Sequence, residues 1–320
     1  MIHMRPFTAT NHDYVARVAL HNAIWPDWPD TVARCQGRDS LRNQAYFFQR
    51  VVVEVEHQIV AAGTVSEPTW SHRPGKYALG VDVHPAHERQ GIGSALYDHL
   101  LQMVTQRLPA PTVLVSRTRE DKLQALRFLA QRGFTQVMRS PVSRLAVATF
   151  DPAQFAGLLD NVRTAGYQLY SMAEVAKLDP DWQRQVYELD WECTQDEPLP
   201  DAPTKPAFAD YVKENFDYSH FLPAASFVAL ANGHYVAMTT GFQDAAESTL
   251  LITGFTGVVR AHRRRGLATA LKVLTIAYAQ QNHFKAIETG NEESNPMYRI
   301  NLALGFQPKP AWLDFQKMIE

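Results

Sequence analysis

The sequence contains little cysteine and no long apolar segment. Cys35 and Cys193 are the only cysteines among 320 residues, and no CxxC or Cys/His spacing surrounds them, so neither a disulfide framework nor a zinc site is indicated. The first residues, MIHMRPFTATNHDY, lack the apolar core of a signal peptide, and no run of about 18 apolar residues occurs. These absences predict a cytoplasmic protein with no metal site and no membrane partner.

A large net charge is also absent, because 31 lysines and arginines oppose 33 aspartates and glutamates. The balance hides two unequal halves: residues 1–150 hold 17 basic and 12 acidic side chains (+5), and residues 151–320 hold 14 and 21 (−7). A protein that binds nucleic acid needs a broad basic face. The acidic second half therefore argues against a nucleic-acid partner.

Two segments of the chain repeat each other. VDVHPAHERQGIGSALYDHLL contains Gly91, and TGVVRAHRRRGLATALKVLTI contains Gly266 at the equivalent place. Further along, QRGF ends at Phe134 and ALGF ends at Phe306, so the second pair of markers is separated by nearly the same length of chain as the first. Matching markers in the same order predict a duplicated domain. With 46% hydrophobic residues, the chain can bury two separate cores, and we place the two domains at 1–150 and 151–320.

The two halves of the sequence predict the same alternation of strands and helices. The first includes a helix NHDYVARVALHNAI, a hairpin RVVVEVEHQIVAAGTV and a strand KYALGVDV; the second includes a helix DWQRQVYELDW, a hairpin SFVALANGHYVAMTTGF and a strand LLITGFTGVV. The hairpin turns are expected at His57-Gln58 and at Asn232-Gly233, because Asn-Gly tolerates the positive φ of a type I′ turn. Each domain is therefore predicted to be a mixed α/β sheet with helices on its faces.

The stretch AHRRRGLATALKV places three arginines where a strand ends, a glycine permits a tight turn and a helix begins. The first N–H groups of a helix have no intrahelical partner, and the helix dipole favours an anion there. Arg263 and Arg265 can add charge-assisted hydrogen bonds to phosphate oxygens, while Arg264 alternates with them. The spacing is [Q/R]xxGx[G/A], which differs from the GK[ST] and GxGxxG phosphate loops. It predicts a turn that holds a pyrophosphate.

This spacing, together with the later Gly305-Phe306 pair that closes an amphipathic helix, resembles the GNAT superfamily of N-acetyltransferases. The resemblance covers both halves, so the chain is similar in layout to mycothiol synthase and other bacterial proteins with two tandem GNAT domains. It implies acetyl-CoA, whose pyrophosphate the turn holds and whose pantetheine lies along the preceding strand. The coenzyme contacts it assigns are Thr256, Gly257, Val258, Arg263, Arg264, Arg265, Gly266, Leu267, Ala268 and Thr269 in the second copy, and Val81, Asp82, Val83, Arg89, Gln90, Gly91, Ile92, Gly93 and Ser94 in the first.

The two copies depart from the family pattern to different degrees. Many family members carry a tyrosine four residues before the glycine of the Gly-Phe pair, and this tyrosine faces the departing thiolate. The equivalent residue is Leu129 in the first copy and Asn301 in the second. In the first copy Glu88 also stands at the Gln/Arg position, where its charge would repel phosphate. The resemblance therefore implies a catalytically weakened first domain and an active second domain.

The segment ETGNEESNPMYRIN of the second copy supplies the candidates for catalysis. Tyr298 and Asn301 lie at i, i+3 spacing on one helical face, and Tyr298 could donate a proton to sulfur or pack against the sheet. Glu288 is a third candidate catalytic residue. Asn291 and Asn295 are expected to contact the coenzyme or to cap the helix.

By analogy the acceptor pocket lies over the loop between the first two helices, LDWECTQDEPLPD in the second copy. Glu192, Asp196 and Glu197 suit a cationic amine and Trp191 an apolar wall, although such acids are also ordinary solvated loop residues. The expected function is direct transfer of an acetyl group from acetyl-CoA to the amine of a small molecule. The alternative is a non-catalytic acyl-CoA-binding sensor or scaffold. The chain is expected to be a monomer or a homodimer.

Overall fold

The computed structural model describes residues 3–319, which fall into two compact units. The first unit runs to Met138 and takes in the chain from Leu313 onward, and the second is Arg139–Trp312. Each unit is a mixed sheet with helices packed against it, as the sequence predicts. Among the described residues, no helix has both the length and the hydropathy that crossing a membrane requires.

The first unit is built around two parallel strands. Its sheet order is β1-β2-β3-β4-β5, in which β4 and β5 are parallel and the earlier pairs are antiparallel. The strands are β1 (His3–Pro6), β2 (Phe48–Val55), β3 (Gln58–Ser66), β4 (Lys76–Val83) and β5 (Val113–Arg119), and the helices are α1 (Asn11–Ile24), α2 (Val32–Leu41), α3 (Ile92–Thr105) and α4 (Leu123–Gln131).

The second unit repeats this plan. Its strands are β6 (Thr135–Ala146), β7 (Tyr167–Ser171), β8 (Phe227–Ala231), β9 (His234–Gln243), β10 (Leu250–Val258), β11 (Ala286–Gly290) and β12 (Gln307–Met318), and its helices are α5 (Ala156–Thr164), α6 (Met172–Leu178), α7 (Trp182–Thr194), α8 (Phe208–Asn215), α9 (Leu267–Gln281) and α10 (Pro296–Ala303). The sheet order is β6-β11-β10-β9-β8-β7, and β10 and β11 are its parallel pair. The strands and helices that surround the glycine turn therefore occur twice in the same arrangement.

The unit boundaries differ from the expected halves, 1–150 and 151–320, because of β6 and β12. From Val142 to Ala146, β6 pairs with β11 and so belongs to the second unit. The last part of β12 lies beside β5, where Leu313 and Phe315 are buried in the core of the first unit. The pairing of strands therefore decides to which unit each of these strand ends belongs, and a repeat in the linear sequence does not reveal that pairing.

The hairpin turns correct one detail of the sequence prediction. Asn232 and Gly233 have φ of 51° and 80°, as expected for a type I′ turn. In the β2–β3 hairpin of the first unit the residues with positive φ are Glu56 and His57, at 51° and 65°, and Gln58 already belongs to β3. The turn is one residue earlier than His57-Gln58 because the Val55–Gln58 pair closes a two-residue loop.

Candidate functional site

The two glycine turns have the same backbone conformation. In the second unit Arg264 and Gly266 have φ of 60° and 79°, and in the first unit Arg89 and Gly91 have φ of 63° and 83°. Each glycine is the N-cap of the following helix, α9 or α3, and no side chain caps either helix. The first N–H groups of both helices are thus available to an anion at the positive end of the helix dipole.

The two glycines differ in the space around them. A Cβ on Gly266 would lie 2.6 Å from Cδ1 of Leu158, whereas a Cβ on Gly91 would meet no atom within 4 Å. Both have the positive φ that other residues rarely adopt. Gly266 is therefore required by its conformation and by the close packing of Leu158, and Gly91 by its conformation alone.

The arginines of the second turn do not all face a ligand. Arg263 donates from Nε to the carbonyl of Val258 at 2.9 Å and from Nη2 to Asp196. Arg260 also binds Asp196, and these two guanidinium groups hold the pKa of its carboxyl down to about 2. The structure thus places Asp196 against the turn rather than toward an amine. The exposed side chains of Arg264 and Arg265 project at the turn, where Arg265 reaches the carbonyl of Ala261 at 3.5 Å.

In each unit the two parallel strands separate beyond a short paired region. The β10–β11 pairing runs from Leu250 to Ile252 on β10, and β10 then carries a register shift against β9 between Thr253 and Thr256. The β4–β5 pairing runs from Lys76 to Ala78, although β4 continues to Val83. The strand ends that the resemblance assigns to the coenzyme, 81–83 and 256–258, thus lie beyond the paired regions.

Several contacts hold these strand ends in place. Thr256 shares a hydrogen bond of 2.9 Å with Thr239, and a Cβ on Gly257 would lie 2.6 Å from Cβ of Cys193 on α7. Burial raises the pKa of the Cys193 thiol to about 12, so it packs as a neutral thiol and is a poor acyl carrier. In the first unit Asp82 accepts a hydrogen bond of 2.9 Å from Arg17.

The helix after the second parallel strand of the second unit carries a side-chain amide whose carbonyl oxygen lacks a partner among the described residues. Asn301 is fully buried and donates from Nδ2 to Oδ1 of Asn291 at 2.7 Å. Its own Oδ1 has no hydrogen-bond partner in the described part of the chain. Asn295 accepts from the Met297 N–H at 2.9 Å and is therefore the cap of α10. Tyr298 lies one turn before Asn301 and is half-buried.

Glu288 belongs to an ion-pair network within the second unit. Its Oε1 accepts from Arg144 of β6 at 2.9 Å and from Lys309 of β12 at 2.7 Å. Arg144 also binds Glu247 at 3.2 Å. Glu288 is thus engaged by two cations from neighbouring strands, an arrangement that ties strands together rather than one that presents a free base.

The acidic segment of the second unit differs from the expected loop. Trp191 and Glu192 lie within α7, because this helix continues to Thr194, and Glu192 is exposed. Glu197 follows the helix, and no cation binds it among residues 3–319. Burial, with a smaller contribution from the charge of Asp190, raises the pKa of Glu197 to about 7.

Asp190 is a site residue that the sequence interpretation missed. It accepts hydrogen bonds from the Tyr211 hydroxyl at 2.6 Å and from Thr194 at 3.1 Å, and burial raises its pKa. Its position in α7 is one residue before Trp191, between Glu188 and Glu192, and no local motif distinguishes it from these neighbouring acids. Asp190 and Glu197 together form a pair of carboxyl groups of raised pKa in this unit.

The matching connection in the first unit is held down by cations. Arg119 at the end of β5 donates to Asp27 at 2.7 Å, and Lys122 donates to the carbonyl of Ile24 at 2.5 Å. The ring of Trp25 lies 5.4 Å from the guanidinium of Arg119 and 4.7 Å from Nζ of Lys122. The connection after α1 thus contacts the end of β5 and the start of α4.

The remaining candidates of the first unit lie around its turn. Arg89 reaches Gln124 at 3.4 Å, Gln90 donates to the carbonyl of Ala86 at 3.3 Å, and Ser94 accepts from Arg132 at 2.8 Å. The other assigned residues form the first turns of α3 and α9, and they are Ile92, Gly93, Leu267, Ala268 and Thr269.

Comparison with known proteins gives a consistent result. The model of the acetyltransferase (GNAT) family matches residues 17–134 and 183–304. A tandem GNAT protein from the clavulanic acid biosynthesis pathway superposes with a TM-score of 0.76 and 20% identity, over 99% of this chain and 98% of that protein. A GCN5-related N-acetyltransferase from Sphaerobacter thermophilus superposes with a TM-score of 0.72 and 18% identity, over 99% and 95%. No curated protein matches the chain by sequence.

Proposed function

The chain belongs to the acetyltransferase (GNAT) family, and on that premise we propose that its second unit transfers an acetyl group from acetyl-CoA to the amine of a small molecule. As a member of this family the protein is an acyltransferase. When bound, acetyl-CoA supplies a thioester that an amine can attack directly. The protein has to bind the coenzyme, hold the amine beside it, remove a proton from the amine and assist the departing thiolate.

The residues of the second turn fit the pyrophosphate of the coenzyme. The uncapped N terminus of α9, the positive φ of Gly266 and the exposed Arg264 and Arg265 offer N–H groups and positive charge to phosphate oxygens. Arg263 contributes by anchoring the turn to Asp196 and to the carbonyl of Val258. Further contacts with the coenzyme are proposed for Thr256, Gly257, Val258, Leu267, Ala268, Thr269 and Asn291.

We assign the removal of the proton to Glu197. An amine of pKa about 10 is almost wholly protonated at neutral pH, and a base works best when its pKa is near the working pH. The raised pKa of Glu197, about 7, meets this condition, and no described cation neutralises its carboxylate. Trp191 and Glu192 of α7 are proposed to form the wall and the rim of the same pocket. Asp196, which the arginines occupy, is excluded from it.

We assign assistance to the departing thiolate to residues of α10. Tyr298 carries a hydroxyl that can donate a proton, and Asn301 lies one turn later. Glu288 is bound by Arg144 and Lys309, so we propose that it holds β11 in place and has no direct part in the reaction.

We propose that the first unit has lost the ability to transfer an acetyl group. One comparison carries this assignment: at the same place in the last helix, the second unit has Asn301 with an unpaired carbonyl and the first has the apolar Leu129. The connection after α1, held by Arg119 and Lys122, also lacks a counterpart of the free Glu197. The turn of the first unit retains the geometry for an anion, and binding of a coenzyme there without transfer corresponds to the alternative function of a sensor or scaffold.

The experiment that tests the proposal uses the full chain with acetyl-CoA and a library of amines, and free thiol is followed as the product. Release of thiol with at least one amine is expected, and it should be lost in Gly266→Val but kept in Gly91→Val. Both variants place valine at a positive φ, so they control for each other. Coenzyme binding without thiol release from any amine would favour the sensor. Equal loss of activity in both variants would remove the assignment of separate roles.

A further inference from the structure

One face of the second sheet carries aromatic rings that the proposed reaction does not use. Gly257 of β10 lies opposite Met238 of β9, and it packs against Cys193 of α7. Residues directly opposite each other in an antiparallel pair share a face, and so do alternate residues along one strand. Phe242 is four residues after Met238 on β9, so its ring lies on the side of the sheet that α7 covers.

Ring contacts continue across this side of the sheet from β9 to α8. The ring of Phe242 is 5.6 Å from that of Phe221 and 6.2 Å from that of Tyr218. Phe216 is 5.5 Å from Phe221 and 5.5 Å from Tyr211 of α8. Tyr211 is buried, but the other four residues are partly exposed. These four form an aromatic surface that the folded chain leaves partly open, and they are Phe216, Tyr218, Phe221 and Phe242.

The two ends of the aromatic surface border two different parts of the second unit. At one end the hydroxyl of Tyr211 donates to Asp190 at 2.6 Å, and the charge of Asp190 acts on the carboxyl of Glu197, the proposed base. At the other end a Cβ on Gly254 would lie 2.8 Å from Cε2 of Phe242. Gly254 is exposed and belongs to the register shift of β10. The aromatic surface thus extends from the carboxyl groups to this shift.

The coenzyme is proposed to lie along β10 and to point toward this shift. Its pyrophosphate is assigned to the turn at Gly266 and its arm to residues 256–258, so the arm runs from the end of β10 toward the middle of the strand. The acetyl group at the end of the arm is therefore expected near Gly254, beside Phe242. An amine that reaches the acetyl group from the side of α7 contacts the aromatic surface.

The segment that packs on this side of the sheet is strongly acidic. Residues 179–217, which contain α7, α8 and their connection, hold 11 aspartates and glutamates against 3 lysines and arginines (−8). This charge accounts for the net charge of the whole second half, −7. An ammonium group is attracted by such a field and by the faces of aromatic rings, whereas a carboxylate is repelled by the field. The charge therefore complements a cation that carries no acid group.

We propose that the acceptor of the second unit is an arylalkylamine, a primary amine joined by a short alkyl chain to an aromatic ring, and that this ring lies on the aromatic surface. The proposal rests on the proposed function, because it requires that the second unit transfer an acetyl group. Aromatic pairs are stabilised beyond the burial of their area, so a ring is favoured over an alkyl chain of similar size. Phe221 and Phe242 are specificity-determining residues in this account.

The transfer itself is the one already proposed. The nitrogen of the amine forms a bond to the acetyl carbon, and the carbon–sulfur bond of the thioester breaks. An ammonium group loses two protons on becoming an amide. Glu197 takes the first of these protons, and the sulfur of the departing thiolate takes the second.

The first test compares four amines by the release of thiol from acetyl-CoA with the full chain. Phenethylamine should have the highest kcat/KM. It should exceed hexylamine, which lacks the ring, about threefold to tenfold. Phenylalanine has the same ring and amine but adds a carboxylate, and glucosamine has neither the ring nor an apolar body, so both should be slower than phenethylamine by about tenfold or more. A higher kcat/KM for phenylalanine or glucosamine would overturn the proposal.

The second test removes the rings. Phe242→Leu keeps an apolar side chain, and it should bring the ratio of kcat/KM for phenethylamine over hexylamine close to one; Phe221→Leu should change the ratio in the same direction. The control is Phe284→Leu, which alters a partly exposed ring that packs in a different cluster of the same unit and should leave the ratio unchanged.

The ratio decides the question even for a destabilised variant, because both rates are measured on one preparation and the folded fraction cancels. A ratio that stays at the parent value in both Phe242→Leu and Phe221→Leu would overturn the proposal. Release of thiol with other amines of the library but not with phenethylamine would overturn this proposal and keep the proposed function. No release with any amine would overturn both.

Discussion

The carboxylate of Asp196 accepts a hydrogen bond from the guanidinium group of Arg263. These two residues are 67 positions apart in the chain, and the sequence assigned them to different ligands, an amine and a phosphate. Their bond instead ties the segment after α7 to the turn before α9. The turn that is proposed to bind the coenzyme is thus supported from the side on which the amine is proposed to bind.

Asp196→Asn should therefore affect the coenzyme rather than the amine. The acid anchors Arg263 at a partly exposed position, where an ion pair contributes little, so we expect the KM for acetyl-CoA to rise about two- to fivefold. The KM for the amine should stay within about twofold, as it should in the control Glu192→Gln. Steady-state kinetics with each substrate varied in turn would check this. A tenfold rise in the amine KM alone would return Asp196 to the acceptor pocket.

Glu197→Gln should abolish the pH dependence assigned to the base. The pKa of Glu197 is raised to about 7, so kcat/KM of the parent protein should rise through pH 7 as the carboxylate forms. The glutamine variant should be slower by about a hundredfold or more at pH 8, with a flat profile in this range. Rates measured from pH 5.5 to 9 on both proteins test this, and a profile that is the same in the two proteins would remove Glu197 from the role.

Glu197→Gln should slow the reaction, but it should make the folded protein more stable at high pH. Because the folded pKa of Glu197 is above the ordinary value of 4.5, the folded state retains a proton that the unfolded state releases, and this contribution to stability is lost as the pH rises from about 4.5 to 7. Glu197→Gln has no such loss. Its melting temperature should therefore exceed that of the parent protein at pH 8 and match it more closely at pH 5. Lower stability at pH 8 would contradict the raised pKa.

Tyr298→Phe tests which residue of α10 assists the thiolate. A phenol can donate a proton to the departing thiolate, and such transfer contributes about 10²–10⁴-fold to the rate, so kcat should fall at least about tenfold. The affinity for acetyl-CoA should change little, because only the hydroxyl is removed. Normal turnover in this variant, with loss of kcat in Asn301→Ala, would move the role to Asn301. If both variants are normal, water protonates the thiolate.

Two substitutions, one in β6 and one in β12, should destabilise the units to which their side chains belong. Phe315 is buried in the core of the first unit and Leu145 in a core of the second, although Phe315 lies near the end of the chain and Leu145 before its midpoint. Phe315→Ala should lower the stability of the first unit by about 3–5 kcal/mol, and Leu145→Ala that of the second by about 2–5 kcal/mol. Hydrogen exchange followed by mass spectrometry would locate each effect. Protection lost in the opposite unit would disprove the assignment of these strands.

The sequence could predict the features that depend on neighbouring residues. The duplication, the two glycine turns and the start of the helices after them follow from glycine at positions of positive φ and from helical spacing of apolar residues, so α1 and β4 were found over the expected residues. The family was confirmed for the same reason, since its motif is contiguous. Helices α2, α5, α6 and α8 were missed. For α6 a signal existed, the capping box of Ser171 and Glu174.

What only the tertiary structure decided concerns residues that meet from distant parts of the chain. Asp196 meets Arg263, and Glu288 meets Arg144 and Lys309. These bonds are the reason that we propose other roles for the two acids than the sequence indicated. The burial that raises the pKa of Glu197 arises from the packing of separate segments, so neither the pKa nor the proposed base could be predicted from the residue alone. The unit boundaries depend in the same way on which strands pair. Local conformational preference is therefore encoded in the linear pattern, whereas charge pairing, desolvation and sheet order exist only once the chain has folded.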